Sequence, residues 1–131
     1  MEGRQFHDAM SLFDLTQLGL ERAIQGAAMR QTALSSNIAN ANTPGYRRED
    51  VDFHDALRAA FDQGPDAATQ ALQNASFSPQ ADSSAAMQAD GNSVDIDVEN
   101  ANLAKNGLEY EALVTADRAR MDILRSAMGV Q

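Results

Sequence analysis

The chain has no cysteine, no tryptophan, three prolines, two histidines and no long apolar run. Each absence closes a class of function. Without cysteine there are no disulfides and no thiolate metal sites, and the chain is indifferent to redox compartment. His7 and His54 stand far apart, and neither belongs to a His-x-x-x-His or carboxylate-rich metal pattern, so they read as surface or interface histidines. The N-terminus, "MEGRQFHDAMSLFDL", lacks the apolar stretch of a secretory signal. No segment approaches the roughly 20 apolar residues of a membrane span. Basic residues are scarce, the formal net charge being −9, and phosphate binding wants a basic face, so no nucleic-acid partner is expected. Glycines are scattered, so no phosphate loop exists. Ser35, Ser36, Ser83 and Ser84 have no Gly-x-Ser-x-Gly setting. Asp50, Asp52 and Asp55 read as a solvated acidic stretch rather than paired catalytic carboxylates. No converging set of polar groups suggests an enzyme, a cofactor or a small-molecule substrate.

What is present is helical periodicity at both ends. Alternating steps of four and three from Phe13 meet Gln17, Leu20, Ile24, Ala27, Gln31, Leu34, Ile38 and Ala41. This is a coiled-coil-like seam with two polar interruptions. The expected helix runs from about residue 15 to 41, with Asp14 or Thr16 as its cap. The same walk near the C-terminus meets Leu103, Gly107, Tyr110, Val114, Asp117, Met121, Leu124 and Met128. A second stripe, Ala101, Ala104, Leu108, Ala112 and Ala119, is expected to widen the buried face. Asp95, Asp97 and Glu99 lie at the expected helix start, and Arg118, Arg120 and Arg125 near its end, both favourable to the helix dipole. Asn106-Gly107 weakens this helix by about 1 kcal/mol relative to alanine, and marks either a bend or the close approach of another backbone.

Three segments follow: an N-terminal helical segment, 1–42; a turn and irregular middle, 43–93; and a C-terminal helical segment, 94–131. The fold class is mainly α, the long terminal helices packing as a coiled-coil-like hairpin into one domain. In the middle, residues 51–61 suggest a short helix with Val51, Phe53, Leu57, Ala60 and Phe61 on its apolar side. After Gly64-Pro65 large apolar residues are few, Leu72 and Phe77 are isolated, and "SPQADSSAAMQADGN" has loop composition. Asn74-Ala75-Ser76 matches a glycosylation sequon of the kind that arises often by chance.

The first helix ends sharply. Pro44 disfavours the α conformation at Thr43 and presets φ for a turn. Gly45 supplies the positive φ that a type II turn requires over Thr43-Pro44-Gly45-Tyr46. The simple reading of Asn37, Asn40 and Asn42 is C-terminal capping; for the whole cluster, amides presented to a neighbouring chain are the expectation. Arg47-Arg48 is a small basic spot, either solvated or paired with an acidic neighbour.

"LSSNIANANTPGYRR" resembles the N-terminal signature of the flagellar basal-body rod and hook proteins: Asn-x-Ala-Asn-x-x-Thr-Pro-Gly-Tyr after a long amphipathic helix. The matching residues are Asn37, Ala39, Asn40, Thr43, Pro44, Gly45 and Tyr46. "DGNSVDIDVENANLAKNGLEYEAL", residues 90–113, is similar to the segment that opens the C-terminal helix in one proximal-rod branch of that family. Together the two regions span roughly the first 60 and last 40 residues, and the middle offers little to match.

The resemblance implies a structural subunit of the proximal rod, not an enzyme, assembling through its terminal helices into the tubular drive shaft for flagellum-dependent motility. It implies export through the flagellar type III apparatus without a cleaved signal, and a place in the basal body's periplasmic rod. Its implied partners are copies of itself, other proximal-rod subunits, the protein that joins rod to inner-membrane ring, and that ring or the export gate. Leu20, Ile24, Leu34, Ile38, Leu108, Val114, Met121 and Leu124 would carry most of the packing and assembly energy, roughly 1.5–3 kcal/mol each when buried. Two alternatives stay open: a sibling rod subunit, and a stand-alone helical adaptor or export chaperone. The adaptor explains both stripes but not the Asn-x-x-Thr-Pro-Gly-Tyr junction.

Overall fold

The computed structural model describes the backbone of residues 2–129 and the side chains of residues 13–129. His7 therefore lies outside the described side chains. The elements run α1 (Glu2–Ala39), β1 (Glu49–Asp50), α2 (Phe53–Phe61), α3 (Pro65–Gln73), β2 (Gln80–Ala81) and α4 (Ile96–Ala127). The fold is mainly α, with the long terminal helices packed against each other in antiparallel sense.

α1 is longer than the pattern suggests. Its 38 residues extend N-terminal to Asp14 and Thr16, which are therefore interior residues and not caps. Such residues cost only a few tenths of a kcal/mol inside a helix. Without a proline or an alternative turn nothing stops the backbone there, and Phe6, Met10 and Phe13 continue the helical spacing. At its other end α1 stops at Ala39, two or three residues earlier than expected. The N–H of Asn40 is shared between the carbonyls of Ser36 and Asn37, both at 3.1 Å, and Ala41 N–H reaches back to Ile38. The last turn thus tightens toward 3₁₀ geometry.

The chain forms two compact units, and both long helices run through the two of them. The first unit holds α1 up to Ile24, α2, α3 and α4 from Ala112 onward. Leu15, Ala60, Ala68 and Leu72 form its buried core, with Leu18, Leu57 and Ala71 packed against it. α3 was not foreseen. Gly64-Pro65 starts this helix: Gly64 sits at φ 88° and Pro65 occupies the first turn, where its missing N–H is not needed. Ala68, Ala71 and Leu72 share one face, so a single large residue suffices to anchor it. Arg22 donates to the Gln73 carbonyl at α3's C-terminus at 3.0 Å. Gly19 on α1 lies under the Phe61 ring, where a Cβ would come within 2.7 Å of Cζ. Along α4, the Gln17 amide donates to Asp117 at 2.8 Å and Arg120 donates to the Phe13 carbonyl at 2.7 Å. The same guanidinium lies 4.5 Å from the Phe13 ring centroid.

The second unit holds residues 25–52 and 77–111. β1 and β2 pair antiparallel, Glu49 opposite Ala81 and Asp50 opposite Gln80. The irregular middle is thus tied down by this short ladder as well as by α3. α4 starts at an N-cap: Asp95 Oδ1 accepts from the N–H groups of Asp97 at 3.0 Å and Val98 at 3.3 Å. It passes through Asn106-Gly107 without a break. Asn106 is fully buried and donates to the Ala27 carbonyl at 2.9 Å and to Gln31 at 2.8 Å. The weak spot thus marks neither a bend nor a close backbone approach: a Cβ added at Gly107 would meet nothing within 4 Å, and it is the Asn106 side chain that reaches α1.

Candidate functional site

The junction after α1 is built by amides. Asn37 is fully buried, and every hydrogen-bonding position of its amide is used. Nδ2 donates to the Glu49 carbonyl at 2.7 Å and to Glu99 at 3.1 Å. Oδ1 accepts from Glu49 N–H at 2.9 Å and from the Tyr46 hydroxyl at 3.3 Å. Asn37 thus pairs with both backbone groups of Glu49, as a strand neighbour would, and fixes the returning chain on α1. Asn40 caps: its amide donates to the Ser36 carbonyl at 2.9 Å, and its Oδ1 accepts from the Thr43 hydroxyl at 3.1 Å. The expectation that these amides face a neighbouring chain does not hold for Asn37, which is fully buried, while half-buried Asn40 takes the capping role. A buried amide must be satisfied where it lies, and here the chain's own groups satisfy it. Asn42 is exposed.

The turn itself forms as the sequence suggests. Tyr46 N–H donates to the Thr43 carbonyl at 3.2 Å, and Gly45 has φ 74°. Pro44 and Gly45 are exposed, Tyr46 is half-buried, and Ala39 is exposed on the last residue of α1. A second turn clasps the first. Buried Asn92 donates to the carbonyls of Asn40 at 2.9 Å and Thr43 at 2.7 Å. Gly45 N–H donates to the Asp90 carbonyl and Ser93 N–H to the Tyr46 carbonyl, both at 3.0 Å.

Below the clasp lies a charge cluster that sequence reasoning missed. Arg48 is buried and donates to Glu99, Asp82 and Asp50. Glu99 is fully buried. Arg30 holds Asp50 in a two-pronged pair at 2.7 and 3.1 Å. Burial works against the Arg48 cation, but the bonds to Glu99, Asp82 and Asp50 outweigh it and push its pKa well above the ordinary arginine range. The bond to Asp50 likewise raises Arg30. Burial would raise the Asp50 carboxyl, but the bonds from Arg30, Val51 N–H and Arg48 overcome it and lower the pKa. Asp82 is lowered by its bonds from Ser84, with Arg48 beside it. Tyr46 is raised by burial and by the nearby Glu49 and Glu99. In sequence, Arg48 reads as half of a small basic spot, either solvated or paired with an unspecified acidic neighbour, and Glu99 as a helix-dipole residue; the structure takes the paired alternative. The one available signal is an arginine placed directly after a chain-reversing turn.

This arrangement holds chain segments together. Among the described residues no group of three or more His, Asp or Glu side chains could hold a metal ion. Among the described residues no helix is long and apolar enough to cross a membrane.

The expected packing residues divide in the single chain. Leu34 is fully buried, and Leu20, Ile24, Ile38, Val114 and Leu124 are half-buried. Leu108 is 70 % exposed and Met121 38 %. The second stripe, Ala101, Ala104, Leu108, Ala112 and Ala119, is wholly exposed, so it does not widen the buried face of the single chain.

Residues 20–47, which span the second half of α1 and the turn, match the family described as flagella basal body rod protein. Relatives match along most of their length. The flagellar basal body rod protein FlgB of Bacillus subtilis is 30 % identical, over 91 % of this chain and 97 % of the relative. The protein of the same name from Escherichia coli is 32 % identical over 81 % and 90 %. That from Cereibacter sphaeroides is 34 % identical over 86 % and 93 %. With its signature turn in place and its terminal helices paired, the chain belongs to the flagellar basal body rod protein family.

Proposed function

We propose that the chain is a structural subunit of the proximal rod of the bacterial flagellum, placed beside the FlgB proteins. One observation carries this reading: α4 leaves an apolar face uncovered in the single chain, with Leu108 70 % and Ile123 66 % exposed. Exposed apolar faces of this kind mark interaction sites. A contact between unlike faces that does not close generates a helical assembly, the geometry of a tubular shaft. The junction supports the same reading. It is a rigid, internally satisfied collar that presents Pro44 and Gly45 outward without strain on the helices beneath.

In this reading the terminal helices act as one packing unit in the rod. The neighbours are further copies, sibling rod subunits, the protein that joins rod to inner-membrane ring, and that ring or the export gate. The subunit is exported without a cleaved signal and works in the periplasmic part of the basal body. It needs no cofactor and catalyses nothing.

The test is electron microscopy of basal bodies from cells that lack the protein. Rings without a rod, together with loss of motility, are expected. Complete rods in those cells would refute the assignment.

A further inference from the structure

Beside the charge cluster the second unit carries an open groove of about 660 Å³. Arg48, Asp50, Asp82, Asp95 and Glu99 line its polar side, and Met87, Ile96 and Val98 its apolar side. Met87 is 59 % exposed, Ile96 45 % and Val98 51 %. With Arg30 on Asp50, the polar side has four carboxylates against two guanidiniums and stays net acidic.

The last turns of α4 have the complementary character. Met121, Ile123 and Met128 are 38 %, 66 % and 70 % exposed. Arg118, Arg120 and Arg125 outnumber the one acidic residue among them, Asp122. Arg118 is exposed, and the Arg125 side chain is 69 % exposed even with Asp122 at 3.8 Å. Six of the ten exposed large apolar residues among the described ones fall in these two patches. The apolar exposure is therefore concentrated, not scattered. Ile96 and Val98 belong to the first turn of α4, Met121 and Ile123 to its last turns.

We propose that this groove receives the C-terminal end of α4 from a second copy of the chain, head to tail. Met121, Ile123 and Met128 seat against Met87, Ile96 and Val98, while Arg118 and Arg125 meet the acidic side. This rests on the rod reading and adds to it the residues of one self-contact. Insertion of a single helix end buries less than the area of a stable dimer. The isolated subunit stays largely monomeric, and the contact accumulates strength only through repetition along a filament.

Because the chain has no cysteine, Met87→Cys and Met128→Cys are probes without background. Purified full-length chain carrying both substitutions, treated with a short bis-maleimide, should give a ladder in steps of one chain. A mixture of the two single variants should give the mixed dimer, and neither variant alone should cross-link. Adding Val98→Asp, at an exposed position that leaves the fold intact, should cut the ladder at least tenfold. High salt should do the same. Homodimers from either single variant, or no cross-linked species at any concentration, overturn the proposal. In cells, rods that need the chain yet assemble normally with Val98→Asp overturn the contact and leave the rod reading standing.

Discussion

Arg48 joins three carboxylates from three separate stretches of chain, and this sets what single substitutions do. Glu99 has no access to water, so removing its cation leaves a buried charge unpaired. Arg48→Met is expected to cost about 3–5 kcal/mol. The double variant Arg48→Met/Glu99→Leu should recover most of that loss, because two apolar side chains replace the pair. Urea denaturation of both variants reads the difference; equal losses in the two would refute it. Acid acts on the same cluster. Asp50 and Asp82 have lowered pKa values in the folded chain. Below the unfolded value of about 4, the unfolded chain takes up protons that the folded one still refuses. The stability these groups contribute is therefore complete above about pH 4 and lost as pH falls through their folded values. The urea midpoint should hold from pH 7 to about pH 5 and then fall, and Asp82→Asn should make that fall shallower.

The two long helices find their register through the residues that interrupt their seams. In α1 the interruptions are Gln17 and Gln31; in α4 they fall at Asp117 and beside Gly107. Gln17 bonds Asp117 at 2.8 Å, and Gln31 accepts from Asn106 at 2.8 Å. A polar group in a helix seam favours the register in which its donors find acceptors, as the Gln17 and Asn106 amide N–H groups do here. The double variant Gln31→Leu/Asn106→Leu is expected to melt at the same or a higher temperature while losing uniqueness of alignment. Doubled amide resonances in α1 and α4 would reveal that loss. A single set of resonances would show that register is set elsewhere. The interruptions are legible in the sequence, but their pairing is not, because residues 31 and 106 become neighbours only after the chain has turned back. α3 escaped notice for a related reason. Its face holds two alanines and one leucine, too little signal until α2 and α1 supply something to pack against.

At the scale of the molecule, the buried and exposed residues divide the labour between folding and assembly. The junction spends its amides and charges internally, while α4 keeps a row of apolar side chains in water. Leu108→Asp changes a 70 % exposed position, so the helix content and melting temperature of the purified chain should stay nearly unchanged. Its incorporation into rods, read by motility and by basal-body imaging, should be lost. A variant that melts early would place Leu108 in the fold instead. The sequence by itself determined the two long helices, the sharp turn and the family, because helical periodicity and the Thr-Pro-Gly-Tyr turn are local and need no knowledge of distant contacts. Only the tertiary structure decided that Asn37 faces inward and that Arg48 and Glu99 form a buried pair. It also decided that the second stripe of α4 stays uncovered. Burial and pairing depend on which distant residues meet, and the pattern along one helix is the same whether its partner is the same chain or the next.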